Sequence, residues 1–477
     1  MAKEYKTPGV YVEEISKFPP SIAAVETAIP AFIGYTESIG KSGNETINKP
    51  FRITSLLEYE QYFGSAFPEN TAFTVKITDN TNAADKLLSR TTEVAFTKAN
   101  LSKYNMYYAL SQYFNNGGGP CYIVSAGLQS EGGTISKDAL VAKLNLLLEV
   151  DEPTLIVFPE GTNLASAGDY YDLINKSLKQ CSDLHDRFTI MDVYPTTDLV
   201  RTDVDALRST ISNDLEQIKF GAAYFPFIET FTPFRIKADL AIEHKIHKEG
   251  VATPADGTLT SMAVLKTQNP QLYNQLFAEL QKYTVKLPPS SSVAGAYARV
   301  DGERGVWKAP ANVSLVGVKK LTTPITNDDN DYLNIDPGSG KSVNAIRFFT
   351  GKGTLVWGAR TLAGNDNEWK YVSVRRFFNF AEESIKKGTE RFVFEPNDAN
   401  TWVKVKAMIE NFLINQWRNG ALAGAKAEDA FFVKVGLGQT MTAQDILDGK
   451  LIIEIGMAVV RPAEFIILRF SHKMQQS

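Results

Sequence analysis

This sequence of 477 residues contains few cysteines, few histidines and no long apolar run. Its two cysteines, Cys121 and Cys181, cannot form a disulfide framework, which is typical of a chain that folds in a reducing compartment. The N-terminal residues lack the apolar stretch of a secretory signal, and no apolar run approaches the roughly 18–20 residues that span a bilayer. The sequence therefore predicts a protein that does not insert directly into a membrane.

An excess of positive charge is also missing. The chain has 50 Lys and Arg against 54 Asp and Glu, a formal net charge of −4, which argues against nucleic acid as a partner. The charge is uneven, because residues 346–477 carry 18 Lys and Arg against 14 Asp and Glu while the remainder has a net charge of −8. This mild basicity indicates an acidic partner for one face, although ordinary solvated charge explains it equally well.

Motifs for metal or phosphate binding are incomplete. On a helix His244 and His247 would share a face, but no further ligands stand at metal-site spacing, so a solvated helix face is the favoured interpretation. Residues 338–342 (GSGKS) resemble the last residues of a phosphate-binding loop motif, yet Ile335 occupies the position where that motif requires glycine. The glycines at 117–119 stand between a helix and a strand, where they are typical of a helix end. The sequence predicts no metal and no cofactor.

Between about 138 and 228 the chain alternates apolar strands with amphipathic helices, which predicts a parallel sheet covered on both faces. Predicted helices are 138–149, 167–184 and 203–213, and predicted strands are 154–158, 188–193 and 220–225. Residues 66–105, which are rich in Thr, Asn and Asp, are interpreted as a surface insertion, and 229–290 as a long loop or a small insertion. A further helix is predicted at 291–304.

From about residue 345 the pattern changes to two strands, two long helices and two final strands. These elements are predicted at 345–349, 354–358, 373–387, 401–419, 451–460 and 464–470. The helix at 401–419 has an apolar stripe and, opposite it, a polar stripe. The apolar stripe consists of Trp402, Val405, Ile409, Phe412 and Trp417. The polar stripe consists of Lys404, Asn411, Asn415 and Arg418.

Both ends of the chain carry strand patterns that have no partner nearby in sequence. The residues that form them are Val10, Tyr11, Val12 and Glu13 near the N-terminus, and Phe465, Ile466, Ile467, Leu468 and Phe470 near the C-terminus. The second segment is apolar on both faces, so it requires burial on both. Either both ends pair within their own subunit, or they add to the sheets of other subunits, since an unpaired strand is an open template.

Eight short motifs occur in a fixed order along the chain. They lie at residues 7–14 (TPGVYVEE), 30–34 (PAFIG), 113–124, 288–312, 358–362 (GARTL), 371–376 (YVSVRR), 394–397 (FEPN) and 462–465 (PAEF). Each of them resembles a motif of the contractile tail sheath proteins of bacteriophages and contractile injection systems. On this resemblance the chain is identified as a member of that family.

The resemblance implies an α/β protein (α+β overall), with a subtilisin-like α/β outer domain, an α+β inner domain, and extended N- and C-terminal β-arms. The implied divisions are an N-terminal arm at 1–22, outer domains at 23–345, an inner sheath domain at 346–460 and a C-terminal arm at 461–477. Within the outer region the subtilisin-like core occupies about 120–345. The arms are implied to add strands to the inner domains of neighbouring subunits.

The function implied is that of a structural subunit, not an enzyme. Such subunits stack as hexameric rings in a helical sheath around an inner tube, and the sheath contracts to drive the tube through a target envelope. The implied partners are further copies of this chain, the inner tube protein, baseplate proteins, tail-terminator or cap proteins, and paralogous sheath subunits. Assembly is expected in the bacterial cytoplasm, as part of a phage tail or of an injection particle that can be released.

Two further hypotheses concern individual residues. The polar stripe is expected to face the inner tube, because weak charge contacts suit a surface that must later let go; a solvated helix face is the alternative. A subtilisin-like hydrolase is the alternative function, with Ser261 as nucleophile and Asp192 at a strand end. No histidine base stands in the required motif, and a serine without a base is a poor nucleophile.

Overall fold

The computed structural model describes residues 21–40, 48–197 and 199–468. These residues form a mixed α/β structure that divides into two compact units. The larger unit comprises the described residues within 26–380 together with 461–468. The smaller unit comprises 21–25 and 381–460.

The strands among the described residues are short, and most are buried. They are β1 (Pro30–Thr36), β2 (Phe51–Ile53), β3 (Phe73–Thr81), β4 (Leu87–Phe96), β5 (Cys121–Leu128), β6 (Leu155–Val157), β7 (Phe188–Asp192), β8 (Gly221–Phe225), β9 (Ile228–Pro233), β10 (Ile242–Lys248), β11 (Ala255–Asp256), β12 (Thr284–Leu287), β13 (Val313–Ser314), β14 (Val318–Leu321), β15 (Val343–Phe349), β16 (Gly353–Val356), β17 (Phe431–Lys434) and β18 (Glu454–Met457).

The α-helices of the described residues vary from one turn to five. They are α1 (Leu56–Phe63), α2 (Met106–Asn115), α3 (Lys137–Leu146), α4 (Ala167–Leu184), α5 (Val200–Thr210), α6 (Leu215–Ile218), α7 (Met262–Gln268), α8 (Pro270–Leu280), α9 (Ser290–Arg304), α10 (Asn327–Asn334), α11 (Val372–Thr389), α12 (Ala399–Arg418), α13 (Ala427–Ala430) and α14 (Ala443–Leu447). None of these helices is long and apolar enough to cross a membrane.

A nine-stranded sheet organises the larger unit. In the described residues its order is β13-β16-β15-β8-β7-β6-β1-β5-β2. The six strands from β15 to β5 pair in parallel, and antiparallel strands complete both edges. The parallel sheet predicted from the alternation at 138–228 is therefore present, and it extends well beyond that segment.

Each face of this sheet is covered by helices, which is why its parallel strands are apolar throughout. In β1, Ala31 and Ile33 face one core cluster with residues of α3, α4 and α5. Phe32, between them, faces the other cluster with residues of α1, α2 and α9. Successive side chains of a strand point to opposite faces, so this short segment contributes to both cores.

The helices begin where the sequence supplies a side-chain cap. Ser136 accepts a hydrogen bond from the backbone N–H of Ala139 at the start of α3, and Ser166 does the same for Asp169 at the start of α4. Such caps satisfy backbone donors that have no partner in the first turn. The predicted helix at 167–184 has these bounds in the structure because a cap marks its start and His185, with φ of 59°, its end.

The two segments interpreted as insertions fold together in the larger unit. Residues 66–105 contain the hairpin β3–β4, and 229–290 contain strands and helices rather than a long loop. Strand β10 pairs with β3 in a four-stranded sheet of order β11-β10-β3-β4. A third core cluster joins apolar residues from both segments. This sheet was not predicted from the sequence because polar residues are frequent in β3 and β4, which makes their apolar alternation hard to recognise.

His244 and His247 lie on strand β10, so the expected shared helix face does not exist. Because side chains alternate along a strand, His244 is buried and His247 is exposed. His244 Nε2 lies 3.0 Å from the carboxylate of Asp79, which Arg90 holds through two contacts of 2.5 Å. Within the described residues, no group of three or more metal-ligating side chains occurs.

The division between the units differs from the predicted boundary at 345/346. Strand β15 begins at Val343 and pairs in parallel with β8, so it belongs to the nine-stranded sheet. The contacts place the division at 380/381, within helix α11. The chain enters the smaller unit there and returns to the larger unit at Arg461.

The smaller unit is built on α12 and a two-stranded antiparallel sheet, β17–β18. Asp398 caps α12 by accepting from the N–H of Thr401 at 2.9 Å. The buried side of α12 consists of Thr401, Val405, Met408, Ile409, Phe412, Leu413 and Gln416. This matches most of the predicted apolar stripe, although Trp402 and Trp417 are only half-buried.

We expect Gly295→Ala to lower the free energy of unfolding by about 1–3 kcal/mol, because α9 and α2 pack too closely for a side chain there. A Cβ on Gly295 would lie 2.4 Å from the carbonyl oxygen of Tyr113. Urea unfolding of the purified protein measures the effect.

The matched control is Gly302→Ala on the same helix, where nothing lies within 4 Å of an added Cβ. Alanine there should stabilise the protein by about 0.5–1 kcal/mol, because it restricts the unfolded chain. Equal destabilisation by both substitutions would contradict the close packing of α9 on α2.

Candidate functional site

An ion pair between Arg360 and Glu464 holds the start of the C-terminal segment on the larger unit. Arg360 Nε and Nη2 donate to the two carboxylate oxygens of Glu464 at 2.9 and 2.6 Å. Asn334 Nδ2 donates at 2.8 Å and the Tyr371 hydroxyl at 3.2 Å. The Arg360 side chain is 6% exposed and the Glu464 side chain 23%, so this bidentate contact is partly shielded from water and fixes the direction of the chain.

The residues directly after Glu464 are apolar and lie in solvent. Phe465, Ile466, Ile467 and Leu468 are between 67% and 80% exposed. They form no strand within the described chain, although the sequence predicts one at 464–470. The requirement for burial on both faces is therefore unmet within the described subunit. Phe470 lies outside the described residues.

A second ion pair, which is buried, holds the chain near its N-terminal side. Arg376 donates to Asp301 on α9, with Nη2–Oδ2 at 2.5 Å and Nη1–Oδ1 at 3.1 Å. The Thr27 hydroxyl also donates to Asp301, and Arg376 donates to the Thr27 carbonyl. Both charged side chains are at most 5% exposed. Val10, Tyr11, Val12 and Glu13 lie outside the described residues.

The small sheet β17–β18 offers backbone hydrogen-bonding groups at its edges. Phe431–Lys434 pairs with Glu454–Met457, and in the described part of the chain no third strand joins them. A sheet of two strands is marginal in water and gains stability from additional strands. Phe432 is 44% exposed, so the sheet also leaves apolar surface uncovered.

The polar stripe is on the exterior of α12, as the spacing predicts. Lys404, Asn415 and Arg418 are exposed and Asn411 is half-buried. Among the ion pairs of the described residues, neither Lys404 nor Arg418 has a carboxylate partner. The basicity predicted for 346–477 does not belong to this unit, however. Residues 381–460 contain nine Lys and Arg against eleven Asp and Glu.

The structure does not bring the candidate hydrolase residues, Ser261 and Asp192, together with a histidine among the described residues. Ser261 caps α7, in the region of the four-stranded sheet, by accepting from the N–H of Val264. Asp192 ends β7 and accepts from the N–H of Ser290 at 2.9 Å, and burial raises its pKa to about 7. Among the described residues His244 is hydrogen-bonded to Asp79 and to the N–H of Leu259, and no histidine is hydrogen-bonded to Ser261 or Asp192.

The two buried arginines were not singled out as site residues from the sequence. Arg360 lies within the motif at 358–362 and Arg376 within that at 371–376. One sequence signal could have identified them: both arginines stand next to apolar residues, and an arginine buried among apolar residues requires a charged partner. The identity of the partner carboxylates, Glu464 and Asp301, depends on tertiary structure.

Comparison with known proteins connects these features to one family. Residues 364–473 match the family model described as the phage tail sheath C-terminal domain. The tail sheath protein of Burkholderia phage BcepMu is 29% identical over 143 residues, which cover 29% of this chain and 30% of that protein. The match therefore spans about a third of the length of that curated relative.

Two solved structures are similar over nearly the whole chain. The anti-feeding prophage (AFP) helical sheath in its contracted state is 32% identical, with a TM-score of 0.64 and coverage of 98% of this chain and 100% of that chain. The PVC sheath complex of an extracellular contractile injection system, also contracted, is 28% identical, with a TM-score of 0.63 and coverage of 99% of both chains.

We expect Glu464→Gln to lower the free energy of unfolding by about 2 kcal/mol, because it leaves the buried Arg360 without a charged partner. Thermal and urea unfolding at neutral pH measure this. The matched control is Glu454→Gln, which removes an exposed contact with Lys434 at 3.8 Å and should change stability by less than about 0.5 kcal/mol.

The effect should also depend on pH. Burial alone would raise the pKa of Glu464, but hydrogen bonds from Arg360 and Asn334 outweigh it and hold the pKa below its usual value. A carboxylate with a lowered folded-state pKa stabilises the protein above the unfolded-state pKa of about 4.3, and loses that contribution as the pH falls through the folded-state value. The difference between wild type and Glu464→Gln should therefore shrink in acid; a constant difference would contradict the ion pair.

Proposed function

This chain belongs to the contractile tail sheath family, and on that basis we propose that it polymerises as stacked hexameric rings around an inner tube. Contraction of this sheath drives the tube through a target envelope. The chain acts as a structural subunit and not as a hydrolase. The smaller unit is the inner domain next to the tube, and the larger unit forms the outer domain.

The observation that carries this proposal is the segment after Glu464. Four consecutive apolar side chains are exposed directly beyond the bidentate ion pair between Arg360 and Glu464. Exposure of apolar side chains to water is unfavourable, and their burial lowers the free energy by about 25 cal/mol per Å² of apolar surface. A second copy of the chain provides that burial when the segment adds to its sheet as a strand.

The two-stranded sheet of the smaller unit is the proposed acceptor. Among the described residues neither edge pairs with a further named strand, although an isolated bridge joins Leu422 to Val459 beyond the end of β18. We assign one arm to each edge, from two neighbouring copies. The C-terminal arm supplies Phe465, Ile466, Ile467, Leu468 and Phe470. The N-terminal arm supplies Val10, Tyr11, Val12 and Glu13, whose alternation suits a half-buried strand.

We propose in addition that the core of the larger unit has the subtilisin-like arrangement. Its parallel strands with helices on both faces support this, as does the position of α9. The N-terminal end of α9 meets Asp192 at the carboxyl end of β7. The sequence lacks the catalytic histidine motif of subtilisin. In this proposal the subtilisin-like core therefore has a structural role and moves as a rigid body.

Contraction requires no nucleotide in this scheme. The extended sheath is metastable, and a trigger lets the subunits repack into a lattice with more buried contact. The exchanged strands keep their hydrogen bonds while the outer domains rotate. Because Glu464 is held by Arg360 and Thr27 by Arg376, movement is confined to the chain outside these anchors.

The remaining partners follow from the family. The polar stripe of α12 contacts the inner tube, where exposed charges without partners in the described chain make weak, salt-dependent contacts. Baseplate, terminator or cap proteins and paralogous sheath subunits are the other partners. Similarity over the full chain to the AFP and PVC sheaths favours an injection particle, assembled in the bacterial cytoplasm, over a phage tail.

We expect Ile466→Asp with Leu468→Asp to prevent sheath formation while leaving the free energy of unfolding nearly unchanged. Both side chains are exposed in the subunit, at 80% and 72%, but buried in the proposed exchanged strand. Negative-stain electron microscopy with sedimentation detects the polymer, and urea unfolding reports on the subunit.

Val251→Asp, at another exposed apolar residue, is the control and should assemble as wild type does. Long sheaths from the double arm variant would rule out strand exchange by this segment.

We expect Lys404→Glu with Arg418→Glu to block sheath assembly on tubes, because it reverses the charges that face the tube. Co-sedimentation of sheath with purified tube at two salt concentrations measures the contact. The matched control, Lys426→Glu with Lys450→Glu, changes the net charge equally at exposed positions of the smaller unit that lie outside both the stripe and the acceptor sheet. If both pairs behave alike, net charge and not the stripe is responsible.

A further inference from the structure

Phe394 is the most exposed large apolar residue of the described chain. Its relative exposure is 103%, so no residue of the described subunit covers the ring, and the adjacent Val393 is 64% exposed. Single exposed apolar residues are ordinary on protein surfaces. Phe394 differs from them in its backbone conformation and in how firmly its loop is held.

The backbone at Phe394 is left-handed, with φ of 69°. For an L-residue with a bulky side chain this conformation costs roughly 1–2 kcal/mol, a cost that glycine avoids and asparagine largely avoids. Nothing inside the subunit repays it, because the ring touches no core. A strained residue of this kind indicates that the side chain acts outside its own subunit.

The loop that carries Phe394 is braced on both sides. The N–H of Glu395 donates to the carbonyl of Phe392 at 3.1 Å. Asn397 accepts from Trp402 Nε1 at 2.7 Å and donates to the carbonyl of Lys450 at 3.0 Å. The ring is therefore presented on a pre-ordered loop, which reduces the entropy lost when it is buried.

We infer that Phe394 is an aromatic anchor that inserts into an apolar pocket on a second copy of this chain. The inference deepens the proposed function and rests on it. Aromatic side chains bury 150–250 Å² each and dominate interface energetics, and anchors of this kind sit in pockets at the centre of an interface. Other large apolar residues of the smaller unit are exposed as well: Val403, Phe432, Leu437, Leu447 and Ile452.

A second copy fits this chemistry better than the inner tube does. In the proposed scheme the exchanged strands keep copies of the chain joined through contraction, and permanent interfaces are the more apolar class. Contacts with the tube must be released, which suits the polar stripe instead. The full-length relatives are also solved as sheath assemblies.

The test uses the full-length protein without tube and three substitutions of one residue. Phe394→Asn and Phe394→Gly remove the ring and relieve the backbone, whereas Phe394→Tyr keeps an aromatic ring. We expect Asn and Gly to raise the protein concentration at which sheaths form by about tenfold or more, and Tyr to leave it within about twofold of wild type. Sedimentation and electron microscopy measure assembly.

Urea unfolding of dilute, unassembled protein provides the second measurement. Phe394→Asn should unfold at the same or a higher urea concentration than wild type, because relief of the left-handed backbone offsets the loss of a ring that packs on nothing. The control Phe231→Asn replaces a phenylalanine that is 66% exposed on β9 and should unfold at a lower urea concentration, since asparagine is disfavoured in strands.

Each outcome decides the question. Normal assembly of Phe394→Asn alongside normal wild type overturns the anchor and leaves the proposed function intact. Earlier unfolding of Phe394→Asn shows that the ring packs in its own subunit and also overturns the anchor. Normal sheaths without tube but failed assembly on tubes assign Phe394 to the tube instead. If wild type forms no sheaths under any condition, the proposed function fails, and the anchor fails with it.

Discussion

Two buried arginines determine where the chain is fixed to the larger unit and where its terminal segments begin. Arg360 holds Glu464 and Arg376 holds Asp301 together with Thr27, in each case through two or more charge-assisted hydrogen bonds. A desolvated guanidinium without its carboxylate would be strongly unfavourable, so these contacts fix the chain tightly. The exposed apolar segment after Glu464 is consequently presented in a defined direction, and its residues can be used by another molecule.

The nine-stranded sheet explains why the anchors can be so firm. Arg360 follows β16, Asp301 lies on α9, and Arg376 lies on the first half of α11, all within one densely packed unit. Parallel strands covered on both faces leave little freedom for their connections. The smaller unit has the opposite character, with a sheet of two strands, exposed apolar side chains and a net charge of −2. These features are typical of a unit whose exposed apolar side chains and sheet edges are covered in an assembly.

Much of this architecture could be predicted from the sequence where the apolar period is strong. The alternation at 138–228 gave the parallel sheet and the bounds of α4, and the 3.6-residue period gave α12 with its exterior stripe. The hairpin β3–β4 was hidden because its partner β10 lies about 165 residues away, and local polarity suggested an insertion. His244 was placed on a helix because two residues three apart cannot distinguish a helix from a strand. The strand at 464–470 was predicted from its apolar residues, yet a strand needs a partner, and the described residues of one subunit do not supply it.

The chain path between the two units has a consequence for covalent integrity. The chain passes from one unit to the other at 25/26, 380/381 and 460/461. A single cut near 380 would separate the covalent chain into two fragments, but each fragment would contain part of both units: residues 21–25 stay with the N-terminal fragment, and 461–468 with the C-terminal one. Both fragments would contribute residues to both units, so a single cut there does not release a free domain.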